Sequence, residues 1–289
     1  MSIILEICGS GSSQTKNTGA DSQCLEGMTV GYALSKNPLV FPTIANLKTL
    51  EDWKTAITAK DVVIAYSVEA NLENVVTEPT YYESRSLKIK TKDGKVGKKF
   101  THHLSLCSHS ALSSFEDSEY IYVYEFTEDG YIKAINGGNA IEGLKLSNFL
   151  VSPRKDAVDG TPASTDVEFV YADFKSFEND GVIVKPDFAI EDLKGIFEVG
   201  FEVVGTPTAT EIVVKATSGC KRKAVTSLAL ADFLLKDASG ATQTITAVTA
   251  VDNVYTLAGA GLVSGTLATN NVIVQTNISY EASQVVIKI

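Results

Sequence analysis

Along most of this chain apolar and polar residues alternate with the period of strands. Ile3 to Ile7 reads as a short opening strand, followed by Gly9-Ser-Gly-Ser-Ser13 and polar residues on to Gly19. Such a stretch has little to bury, so a mobile arm is expected over 9–20. Helical spacing appears over 46–59, where Leu47, Leu50, Trp53 and Ile57 recur every three to four residues. Thr49-x-x-Asp52 has the form of a capping box, which places a helix near 49–58. Asp61 to Ser67 follows as a strand with apolar residues on both faces, the pattern of a central position.

Ser86 to Thr91 alternates Leu87 and Ile89 against Lys88 and Lys90, and Lys92-Asp-Gly-Lys95 supplies an Asp-Gly turn. The chain should return over 98–106, forming a basic hairpin across 85–106. Ser110 is placed to cap a short helix over 111–115. Tyr120 to Phe126 has very high β propensity, Tyr131 to Ile135 follows a turn, and Val167 to Phe174 is a further strand. The Asp-, Gly- and Pro-rich stretch 154–165 reads as an exposed loop.

Composition divides the chain in two. From Phe201 to Ile289 there are six acids and six bases, whereas the first 200 residues hold 29 acids and 19 bases and so carry the whole formal charge of -10. Ala, Val and Thr account for 39 of the last 89 residues, and four of the 24 aromatics fall there. Two domains are expected, 1–200 and 201–289. The first is an antiparallel β-sandwich or barrel with one or two flanking helices. The second reads as seven short strands at 200–204, 211–216, 232–236, 243–248, 254–257, 272–276 and 284–289, an antiparallel sandwich of immunoglobulin size. The chain is therefore expected to be mainly β.

Candidate chemistry is sparse. His102, His103, Cys107 and His109 suggest a metal site by residue type. Strand geometry separates residues four apart by ~13 Å, so ordinary strand residues explain the cluster and no metal is expected. There is no GxSxG elbow and no Walker lysine motif. The third glycine of a dinucleotide loop starting at Gly9 would fall at Gln14, so that stretch reads as a flexible loop. The carboxylate pairs Glu116/Asp117 and Glu128/Asp129 sit in turns and read as solvated surface. No cofactor and no catalytic residue are expected, and the chain does not read as an enzyme. Cys8, Cys24, Cys107 and Cys220 form no CxxC pair and are expected to be isolated thiols, although Cys8 and Cys24 could bridge. No apolar run approaches the ~20 residues needed to span a bilayer. The N-terminus lacks the basic region of a secretory signal.

The acidic total argues against a general nucleic-acid binder. One dense basic segment stands out against it: Arg85, Lys88, Lys90, Lys92, Lys95, Lys98 and Lys99 place seven of 25 cations within fifteen residues. Lysines of this kind guard an exposed sheet edge against aggregation. They equally suit a docking arm that meets the acidic face of a neighbouring copy. Direct DNA contact is a third option.

The segment containing Val204-Gly-Thr-Pro-Thr-Ala-Thr-Glu-Ile-Val-Val214, Val225 to Phe233, Thr244 to Thr249, Val254 to Leu257 and Gly265-Thr266 resembles a bacterial immunoglobulin-like (Big/invasin-type) module. Such modules are commonly appended to structural proteins of tailed bacteriophages. In layout, with its flanking helix, long hairpin and N-terminal arm, the first domain resembles virion proteins of the tail-tube and tail-ring type, in particular those of crAss-like phages of Bacteroidetes. That resemblance implies a homo-oligomer, a hexamer or dodecamer, assembled in a host cytoplasm into a ring whose lumen passes DNA without reading its sequence. Other virion proteins would be its partners, and the second domain would face outward. A capsid decoration or head protein is the alternative, followed by a surface adhesin or glycan-binding module.

Overall fold

The computed structural model describes residues 4–6, 27–65, 73–103, 105–219, 222–275 and 278–289. The expected arm at 9–20 lies outside the described residues. The chain separates into two compact units, Met1–Leu193 and Lys194–Ile289, and is mainly β with several antiparallel sheets.

The strands of the first unit are β1 (Ile4–Leu5), β2 (Thr29–Ser35), β3 (Val62–Ala65), β4 (Glu73–Thr77), β5 (Thr80–Ser84), β6 (Leu87–Lys92), β7 (Lys95–His102), β8 (Tyr122–Thr127), β9 (Ile132–Asn136), β10 (Ile141–Glu142), β11 (Leu144–Val151), β12 (Thr165–Tyr171) and β13 (Gly181–Val184). All but β5 and β6 join one sheet, in the order β1-β13-β9-β8-β11-β12-β7-β4, with β2 attached to β8, β3 to β2 and β10 to β9. β11 pairs with β8 through Leu144 and Lys145, then with β12 through Leu146 to Val151. A bulge between Leu146 and Asn148 accompanies the change of partner. Bulges increase local twist and bend a strand, and the sheet curls into a half-barrel.

Tyr32, Phe100, Phe149 and Phe169 fill its interior with ring centroids 5.2–6.3 Å apart. Gly97 on β7 is required by packing, because a Cβ there would lie 2.4 Å from the carbonyl oxygen of Phe169 on β12. The expected helix near 49–58 is α2 (Leu50–Thr58), preceded by a second helix, α1 (Ile44–Lys48), from which it is separated by a break at Thr49. Thr49 makes no capping hydrogen bond, and its hydroxyl donates instead to the Ala45 carbonyl. The break frees the Leu47 carbonyl to accept the indole N–H of fully buried Trp53 at 2.7 Å.

β3 pairs with β2 alone among the described strands, so it is an edge strand, not a central one. Its apolar second face is covered by α2 packing rather than by another strand. The strand through His102 ends there, and Leu106–Ser113 is a helix, α3, capped by Ser105, whose hydroxyl accepts the Ser108 N–H. Cys107 and His109 are therefore helical. Cys107 is also disulfide-bonded, contrary to the expectation of isolated thiols. Cys8, Cys24 and Cys220 lie outside the described residues.

The second unit contains β14 (Ile196–Val203), β15 (Glu211–Ser218), β16 (Lys223–Ala224), β17 (Phe233–Asp237), β18 (Thr242–Gln243), β19 (Ile245–Val251), β20 (Val254–Gly259), β21 (Gly265–Thr269), β22 (Ile273–Gln275), β23 (Ile278–Ala282) and β24 (Val285–Ile287). One sheet runs β19-β20-β15-β14-β23-β22 with β16 on β15, and the other runs β18-β17-β21-β24. Buried Val199, Ile212, Val214 and Leu257 of the first share a core with Leu235, Leu267 and Ile287 of the second. This is a two-sheet sandwich with more strands than the seven expected. The pairing of β14 with β23 is parallel, contrary to a wholly antiparallel reading. β21 escaped notice because Gly and Ala are poor strand formers. Its Gly265 is needed where β17 approaches, since a Cβ would sit 1.9 Å from the Lys236 carbonyl oxygen.

Candidate functional site

The basic segment folds differently from the expected hairpin. β6 pairs with β5, not with β7, so the turn lies at Arg85-Ser86 and not at Asp93-Gly94. β7 instead pairs with β4 on one side and β12 on the other. The strands β4–β5 and β6–β7 thus form one long antiparallel ribbon, interrupted at Glu78-Pro79 and Asp93-Gly94. Gly94 suits that joint, because a Cβ would lie 2.4 Å from the Thr77 carbonyl oxygen. The inner half belongs to the half-barrel. The outer half, β5–β6, forms its own two-stranded sheet, and every residue of it is exposed.

Cross-strand register makes the outer ribbon two-faced. Tyr82 pairs with Ile89 and Ser84 with Leu87, and these share one face. Tyr82, Leu87 and Ile89 are 58%, 51% and 48% exposed there. Tyr81 pairs with Lys90 and Glu83 with Lys88 on the other face. Lys88 forms an ion pair with Glu83 and sits 4.9 Å over the Tyr81 ring, while Lys90 pairs with Asp93. The hydrogen bond with Asp93 raises the Lys90 ammonium, and the same bond from Lys90 holds the Asp93 carboxyl below its ordinary range. An isolated two-stranded hairpin is at best marginally stable in water. A contiguous apolar face that water covers is characteristic of an interaction surface.

The seven cations are consequently divided. Arg85, Lys88, Lys90 and Lys92 lie on the outer ribbon and Lys95 at its base. Lys99 reaches Asp166 at 3.5 Å, where Lys155 also binds at 2.8 Å. Lys98 points into a cleft of about 490 Å³ within the first unit, walled by Met28, Val76, Phe174 and Phe177. At the cleft floor Lys98, 12% exposed, forms an ion pair with Glu125, 1% exposed. The Tyr171 hydroxyl donates to the other Glu125 oxygen, and the Thr29 hydroxyl donates at 3.1 Å. Burial pushes the Glu125 carboxyl up more than any other single influence. The Lys98 ammonium, the Tyr171 hydrogen bond and the Lys133 charge together outweigh it and hold the carboxyl below its ordinary value.

Sequence reasoning missed this cleft. Its lip comes from α4 (Lys175–Asp180) and the preceding Phe174, whose ring packs between those of Tyr171 and Phe177 at 5.2 and 5.8 Å. Nothing in the local pattern announces that Glu125, on a strand with five consecutive buried residues, will meet Lys98. The only available signal was a charged residue inside an otherwise apolar strand.

The histidines have separate surroundings. His102 is buried, with Nε2 3.3 Å from the Tyr32 hydroxyl. His103 lies 3.4 Å from the Ala163 carbonyl, and His109 Nδ1 lies 3.0 Å from the Thr165 hydroxyl. Among the described residues no cluster of His, Cys, Asp and Glu is arranged to hold a metal ion. Two of the carboxylates read as solvated surface have structural partners: Glu116 accepts the Val151 N–H at 2.6 Å, and Glu128 accepts the Met28 N–H at 3.2 Å. Among the described residues no helix is long and apolar enough to cross a membrane. No protein-family model, curated protein or solved structure matches this chain.

Proposed function

We propose that this chain is a non-enzymatic structural subunit of a virion that assembles with copies of itself into a ring or tube of a phage tail. The observation that carries the reading is the outer ribbon β5–β6. It extends a half-barrel strand pair, leaves Tyr82, Leu87 and Ile89 half in water, and places cations on an otherwise acidic unit. A closed ring needs a surface that meets a different surface on its neighbour. A basic, amphipathic arm on an acidic body provides that asymmetry. In this reading the sandwich of the second unit is an outward module, and DNA passing the lumen makes no sequence-specific contact. The Cys107 disulfide suits a particle that functions outside a reducing cytosol.

Native mass spectrometry and negative-stain imaging of the purified chain test this. Closed rings of fixed copy number are expected. Monomers that bind preformed capsids would replace the tail reading with a capsid decoration or head protein. Monomers that bind glycans would point to an adhesin.

A further inference from the structure

The geometry points to the cleft of one copy as the receptor for the outer ribbon of a second copy. This inference rests on the self-assembly reading above and adds to it a named donor and a named receiver.

The donor is compact. Tyr82, Leu87 and Ile89 occupy one face of two paired strands, so cross-strand neighbours stand ~5 Å apart and the three side chains form a single apolar knob. The receiver is a cleft of about 490 Å³, within the range of ~300–1,000 Å³ typical of sites that enclose ligand-sized groups. Its walls are largely apolar, from Met28, Val76, Phe174 and Phe177, with Asn74, Lys133 and Glu178 among the polar residues that also line it. The Glu125 carboxylate at its floor already accepts from Lys98, Tyr171 and Thr29, so it does not require an ionic ligand. An apolar knob fits that combination better than a charged small molecule.

Charge selects the occupant. Residues 80–95 hold five bases and two acids, whereas the other residues of the first 193 hold 26 acids and 13 bases. Glu178 lines the cleft and is exposed. Glu128 and Asp129, both exposed, lie against Gly27, another lining residue. With Tyr82, Leu87 and Ile89 seated in the cleft, Lys88, Lys90 and Lys92 lie on the ribbon's other face, so Arg85 in the turn is the cation placed to meet these carboxylates and orient the ribbon. The occupant is not the chain's own ribbon, whose apolar residues remain about half exposed. Donor and receiver are different surfaces, so successive copies can add head to tail.

The test uses the full chain with a photo-reactive benzoylphenylalanine at Ile89, in an equal mixture of natural-abundance and ¹⁵N-labelled protein. Cross-links between labelled and unlabelled peptides are expected within 27–29, 74–76 and 174–178. Assembly with intermolecular cross-links confined elsewhere would overturn the cleft assignment and leave self-assembly standing. A wild-type chain that stays monomeric at every concentration would remove both. A charge exchange decides the matter if the photo-reactive variant does not assemble. Arg85→Glu and Glu178→Lys should each weaken association about tenfold or more, and the double variant should recover most of it. Absence of any recovery would overturn the pairing of ribbon and cleft.

Discussion

Lys90 and Lys98 are eight residues apart on one arm of the same ribbon, yet they occupy opposite physical regimes. Lys90 pairs with exposed Asp93 in water, whereas Lys98 pairs with a glutamate that is 1% exposed. An exposed pair contributes little, because solvent screens it and its side chains lose freedom. The buried pair is different in kind. Each charge has been taken out of water, so each depends on the other. One run of lysines thus serves as a solvated surface at one end and an internal constraint at the other.

The sharpest way to break this contrast is to remove the buried partner. Lys98→Met should leave Glu125 without its nearest cation, with only the Tyr171 and Thr29 hydrogen bonds and the Lys133 charge, and cost about 3–5 kcal/mol, read as a lower midpoint for the first unit in denaturant unfolding. An unchanged midpoint would mean that water already reaches the floor of the cleft.

Gly97→Ala is expected to cost about 1–3 kcal/mol, because the added methyl must displace the β12 backbone. The same unfolding measurement checks it.

Acidification sharpens the comparison from another direction. The Glu125 carboxyl is depressed in the folded state, so its contribution is fully present above the ordinary unfolded value of about 4.3. That contribution is lost as pH falls through the lower folded value. Lys98→Met removes the main influence that lowers it, so the folded value rises and the acid-side loss should shrink. Denaturant midpoints recorded from pH 7 down to pH 3 for both proteins would show this. Parallel curves would contradict the assignment.

The smallest effect on stability is expected from Lys88→Glu, Lys90→Glu and Lys92→Glu, whose unfolding midpoints as monomers should stay close to that of the natural chain. Their combination should nevertheless impair oligomerisation. Unchanged oligomers in native mass spectrometry would sink the docking role of the ribbon.

The mainly β class followed from period-two alternation and from the β-branched, aromatic-poor composition of the last 89 residues. Strands such as Glu211–Ser218 and Val254–Gly259 were legible because their patterns are local. β11 was not. Its buried residues are Leu144, Leu146, Phe149 and Val151, and the bulge breaks the alternation midway. β13 is four residues buried on both faces, too short to show a period. The cation cluster was visible, but the Asp-Gly turn suggested the wrong partner for β6.

By itself the sequence determined the class, the partition of charge and the presence of a basic amphipathic strand, because propensity, alternation and charge are properties of neighbouring residues. Only the tertiary structure decided that β5 pairs with β6, that Lys98 meets Glu125, and that Val76 and Phe177 wall one cleft. Those are contacts between residues tens of positions apart. They depend on which strand is adjacent in the sheet and on what excludes water, and no local pattern records either.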